Sequence, residues 1–182
     1  MSSGNPVGLC GCSTTHVREV SDARADTRHE ARGMTSDQHA AAALETRRAA
    51  VVDAAERMVR ASGRTKYYED AFLHQRLDRL AGELIGSIRS HNITSLLEYT
   101  SEIAHDRFAS GYTLAEIQVV FTRLEEAIWM ELCRDLPSDE HAPALALATA
   151  ALSSAKDALA REYVGLASEV HTPALDLLAL VR

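Results

Sequence analysis

Apolar positions recur at helical spacing along most of the chain, and the residues between the runs supply starts and stops, so the pattern predicts five helices. The first opens at Thr35, whose hydroxyl caps the helix while Gln38 reaches back to complete a capping box. Leu44, Val51, Val52, Ala55, Met58 and Val59 form its apolar stripe, and Ser62-Gly63 ends it near residue 62. A second helix is predicted over 69–90, with Leu73, Leu77, Leu80, Leu84 and Ile88 as its seam. Gly82 and Gly86 on that helix predict close approach of a neighbouring helix backbone.

Asn92 and Thr94 punctuate the chain, and a third helix is predicted over 95–110, burying Leu97, Thr100, Ala104 and Phe108 before Gly111 stops it. The fourth carries the strongest start signal. Thr113 and Glu116 form a second capping box, and Tyr112 with Ile117 makes a hydrophobic staple. Leu114, Ile117, Phe121, Leu124, Ile128 and Leu132 are its seam, and it ends before Pro137. Pro143 suits the first turn of a fifth helix that runs to about Val170 on Leu152, Ala155, Leu159, Tyr163, Leu166 and Val170. No strand-like alternation competes, so the expected fold class is all-α: about five helices with globin-like or bundle packing, on a disordered N-terminal tail.

The flanking segments read differently. Residues 1–34 hold Gly4, Gly8, Gly11 and Gly33 and few large apolar groups, too little surface to offset the entropy of ordering, and are expected to be a disordered tail. The helical domain then spans 35–171. Residues 172–182, with Leu175, Leu177, Leu178 and Leu180, form a short amphipathic extension. The uncharged helical run from His141 to Ala155 falls short of the ~20 apolar residues that cross a bilayer, so no membrane span is expected. The first sixteen residues have neither a basic leader nor a continuous apolar segment, and three cysteines make no disulfide framework; both predict a cytoplasmic protein.

Charge narrows the partners. With 19 basic and 26 acidic residues the formal net charge is −7, which argues against nucleic acid or an anionic membrane as the main target and leaves proteins. The sequence has no Gly-rich phosphate loop, no His-Glu-x-x-His, no Gly-x-Ser-x-Gly and no Cys-x-x-Cys, so no enzymatic role, cofactor or metal is assigned. Cys10, Cys12 and His16, with His29 or His39 as a fourth ligand, have the donor types that zinc or copper prefers, and they define an alternative reading as a metal or redox sensor. That alternative includes a small-ligand pocket among the second, third and fourth helices. His74 and His105 flank core seams and receive no role, and Glu98, Glu102, Asp106 and Glu116 read as solvated faces and cap charges. Trp129 lies beside the fourth seam, where it either completes the core or anchors a partner. The candidate interface residues are Trp129, Tyr163, Leu166, Leu177 and Leu178.

Three stretches together suggest a family: Glu56-Arg57 with Ala61-Ser62-Gly63-Arg64 and Tyr67-Tyr68; Arg107-Phe108-Ala109-Ser110-Gly111-Tyr112-Thr113-Leu114-Ala115-Glu116-Ile117; and Glu126-Ala127-Ile128-Trp129. Over about residues 40–170 the chain resembles the N-terminal domain of RsbT co-antagonist proteins of the RsbRD type. The resemblance implies a helical, often dimeric, non-enzymatic input domain of bacterial stress signalling. Its partners would be signalling proteins of the switch-kinase, anti-sigma-factor or histidine-kinase kind. Glu162 to Pro173 is similar to the phosphoacceptor helix of histidine kinases and to the junction entering a STAS domain. Glu169 follows Ser168 where the phosphorylated histidine would stand, and the role is not carried to His171. Nine residues follow Pro173, so the expectation is an input domain without an output module.

Overall fold

In the computed structural model the described residues are 35–63 and 70–171. They form five helices and, among the described residues, no strand: α1 Ser36–Ala61, α2 Leu73–Ser90, α3 Thr94–Ala109, α4 Leu114–Asp135 and α5 Ser138–His171. The chain is an all-α bundle. Contacts close a ring of neighbours in the order α1, α2, α3, α5, α4. The expected tail 1–34 and extension 172–182 lie outside the described residues. None of the described helices is long and apolar enough to cross a membrane.

Both predicted capping boxes are present. Thr35 Oγ1 accepts from Gln38 N while Gln38 Oε1 accepts from Thr35 N, and Thr113 with Glu116 repeats the exchange, so each helix start has two otherwise orphaned donors satisfied. The α2 seam is buried throughout, as is the α4 seam beyond the half-buried Leu114. Opposite these bulky rows stand small ones: Ala40, Ala41, Ala43, Ala54 and Ala55 of α1, and Ala144, Ala148, Ala151 and Ala155 of α5.

Four sequence expectations are corrected. Helix α2 does not reach back through Asp70–Phe72, because the Asp70 carboxylate accepts from Phe72 N at 2.9 Å, a local turn that competes with the helix. On α3 the buried residues are Leu96, Tyr99, Thr100, Ala104 and Arg107, with Leu97 and Phe108 only half-buried: α3 meets α2 as well as α5, which turns its inner face. Helix α5 starts at Ser138, so Pro143 lies inside it, at the sixth position. The proline lacks an amide hydrogen there, which leaves the Asp139 carbonyl without its usual helical donor. Gly82 and Gly86 do not receive another helix backbone.

A Cβ on Gly82 would come 2.9 Å from Arg48 Nη2, so the missing side chain makes room for the Arg48 guanidinium. That group crosses from α1 to bond the Asp78 carboxylate at 2.7 and 2.8 Å and the Asp78 carbonyl at 2.9 Å. Gly86 is exposed, and a Cβ there would meet nothing within 4 Å. Gly86→Ala is therefore expected to raise the thermal midpoint, by up to about 1 kcal/mol of stability from lower chain entropy in the unfolded state. Gly82→Ala is expected to fall clearly short of it. Equal gains in a thermal melt would mean that Arg48 moves aside at no cost.

Candidate functional site

Two regions bring exposed or chemically unusual side chains together. The first is the outer ridge of α4. Its buried face, Ile117, Val120, Phe121, Leu124, Ala127, Ile128, Glu131 and Leu132, packs against α1 and α5, and the 3.6-residue repeat turns residues 126, 129, 130 and 133 away from the core. Three of these are apolar or nearly so. Trp129 is 45% exposed, Met130 48% exposed, and Cys133 is an exposed free thiol. Trp129 Nε1 donates to Thr149 Oγ1 of α5 at 3.3 Å, which tips the indole toward α5 and leaves Met130 and Cys133 at the crest. Charges flank the crest: Arg123 bonds Glu126 at 2.6 Å, and Arg134 bonds Glu131 at 2.7 Å.

The second region lies where α2 begins and α3 ends. The Asp70 and Arg107 side chains are each only 6% exposed and meet at 3.2 Å. Arg76 adds a 2.6 Å bond to the same Asp70 oxygen, and Asp106 joins Arg107 at 2.6 Å and Arg76 at 3.3 Å, closing a four-membered charge ring. The Arg107 guanidinium also stacks over Tyr112, 4.8 Å from the ring centre. Beside the ring runs an open groove of about 310 Å³ lined by Phe72, Gln75, Arg76, Arg79, Tyr99, Glu102, Ile103 and Asp106. Burial pushes the Tyr99 phenol above its ordinary value while Arg79, whose guanidinium sits 4.0 Å from the ring centre, pulls the other way. Arg79 pairs with Glu102 at 2.9 Å, so the charges lining this groove already answer one another. The arrangement works as a clasp between α2 and α3.

The other sequence-predicted residues are dispersed. Tyr163 is half-buried: its hydroxyl donates to the Tyr112 carbonyl at 2.6 Å and its ring meets Phe108 edge-on at 5.1 Å, so it fastens α5 to the α3–α4 junction. Leu166 is also half-buried. Leu177, Leu178, Cys10, Cys12, His16 and His29 lie outside the described residues. His39 bonds Glu140 at 3.0 Å, His74 bonds Glu56 at 2.8 Å, and His105 lies 3.5 Å from Glu162, each joining two helices. Among the described residues no three His, Cys, Asp or Glu side chains converge as metal ligands. Asp106 and Glu102, read from the sequence as solvated charges, take part in the clasp, and the pairing of Asp70 with Arg107 escapes sequence reasoning because they are 37 residues apart in the chain. Met130 and Cys133 escape it too, although both stand off the seam on which Ile128 and Leu132 lie. Comparison with protein-family models, curated proteins and solved structures returns no match to this chain.

Two measurements test the electrostatics. Asp70→Ala would remove one of the carboxylates that answer the buried Arg107 and is expected to cost about 1–3 kcal/mol, whereas Asp70→Asn keeps the acceptor for Phe72 N and costs less. Urea unfolding of both variants ranks them. Glu56 is held below the ordinary value of 4.5, first by the hydrogen bond from Arg60 and also by His74, against an opposing push from partial burial. A carboxylate lowered in the folded state contributes its full stability above the unfolded value and loses it as pH falls through the folded one. The thermal advantage of the native chain over Glu56→Gln should thus be level at neutral pH and shrink below about pH 4.5. A gap that widens on acidification would reverse the assignment.

Proposed function

We propose that this chain is a non-enzymatic signal-input module that works by contact with other proteins, in the manner of an RsbRD N-terminal domain. The observation that carries the reading is the crest of α4, where Trp129, Met130 and Cys133 are contiguous and open to solvent. A tryptophan with nearly half its surface exposed beside a methionine is the composition of a contact anchor, since both residue types are enriched at the centres of protein interfaces. The net charge of −7 supports a protein partner over nucleic acid or an anionic membrane surface. The stress-signalling assignment rests on the Gly111-Tyr112-Thr113-Leu114-Ala115-Glu116 motif, which here starts α4, the helix that bears the crest. On this reading the protein acts in the cytoplasm, and its partners are kinases, anti-sigma factors or further copies of itself.

Photo-crosslinking in living cells tests the contact reading. A benzoyl-phenylalanine at position 133 is expected to yield adducts with protein chains, while the same group at the exposed Arg161 of α5 yields few. Equal yields at the two positions, or none at 133, would dismiss the α4 crest as a docking face.

A further inference from the structure

The crest of α4 is flanked by opposite charges at equal distances, and this symmetry identifies an occupant. Glu126 lies four residues before Met130 and Arg134 four residues after it, one helical turn in each direction. Both remain accessible beyond their own intrahelical bonds, with the Glu126 side chain 44% and the Arg134 side chain 62% exposed. A second α4 laid antiparallel on a two-fold axis through Met130 would place each Glu126 opposite the other copy's Arg134, and the two methionines opposite each other. Laid parallel in register, it would set glutamate against glutamate and arginine against arginine, an arrangement penalised by like-charge repulsion. The neighbouring acids do not spoil the match: Asp135 is held by Arg47 at 2.9 Å and Glu125 by Lys156.

We propose that the outer ridge of α4 is a self-complementary docking surface for a second copy of this chain, packed antiparallel about Met130 with Glu126 and Arg134 paired across the interface. The proposal rests on the contact reading of α4 and names its partner. An isologous contact needs one patch that complements itself under a two-fold rotation, and a row running negative, apolar, positive meets that requirement. The apolar centre supplies the attraction through removal of Met130, Cys133 and the outer edge of Trp129 from water, and the flanking charges set orientation and register.

Sedimentation of the purified full chain over a concentration series tests it. The mass is expected to rise from 19.8 kDa toward twice that value. Glu126→Arg and Arg134→Glu should each move the midpoint to roughly tenfold higher concentration, since each sets like charges across the axis, and the double exchange should return it close to the native value. Circular dichroism establishes that the surface variants remain helical. With Cys133 replaced by Ala, Met130→Cys should form an intermolecular disulfide under mild oxidation, because only a residue on the axis meets itself. A chain that stays at 19.8 kDa throughout, or a double exchange no better than its single parents, overturns the proposal. The photo-crosslinking result at position 133 is unaffected by that outcome, so a monomer that still yields adducts with other polypeptides would leave the contact reading standing and this inference refuted.

Discussion

The bundle depends on an unequal sharing of volume across its helix contacts. Helices α2 and α4 bring leucine, isoleucine and phenylalanine to the interior, and α1 and α5 answer largely with alanine. Interiors are packed to nearly crystalline density, so large side chains on one helix require small ones opposite. Alanine rows fulfil this without sacrificing helix propensity, since alanine is the residue most readily placed in a helix. Phe121 of α4 is almost wholly buried and lines a small cleft with Leu73, Leu77, Leu80, Ile103 and Ile117. The arrangement explains how α1 makes extensive interfaces with both α2 and α4 and a smaller one with α5, despite having few bulky residues.

Packing alone leaves the ends of the helices unsecured, and charge completes them. The Asp70, Arg76, Asp106 and Arg107 ring ties the turn before α2 to the last turn of α3, and the Tyr163 hydroxyl carries the connection on to α5 through the Tyr112 carbonyl. Arg107 is tolerated at 5% exposure because its charge is answered on both sides by carboxylates and its face by an aromatic ring. Breaking one member exposes the others to an uncompensated burial cost, so the ring acts cooperatively. The groove beside it follows from the same requirement: Phe72 stays at the surface because the Asp70 turn places it ahead of the helix.

What could be read from the sequence was what is local. The caps at Thr35 and Thr113 need partners only three residues away, and the seams of α2 and α4 repeat with the helix, so both survive folding unchanged. The errors arise where a distant element decides. Leu97 and Phe108 lost the core to Leu96 and Tyr99 because two helices, not one, cover α3. Gly82 makes room for an arginine 34 positions earlier, and Gly86 for nothing, a distinction that spacing cannot carry. Tyr163, placed both on the fifth seam and among the candidate interface residues, is half-buried and engaged within the chain, and Trp129 is partly exposed while bonded to α5.

The exposed crest of α4 is best understood against the chain's overall charge. At −7 the molecule repels its own kind, and solubility is served by that repulsion. The repulsion is weakest where acids are locally neutralised, and along α4 every acid from Glu125 to Asp135 has a basic partner: Glu125 with Lys156, Glu126 with Arg123, Glu131 with Arg134 and Asp135 with Arg47. Met130 and Cys133 therefore sit on a stretch of surface whose acids are each answered by a base. An apolar residue scattered alone on a surface carries little meaning, but a cluster of them with a partly exposed glutamate one turn before and a partly exposed arginine one turn after has the means for specific contact. The same helix supplies Phe121 to the core and Met130 to the crest, so whatever docks on the outer ridge bears on the element that α1 and α5 both grip.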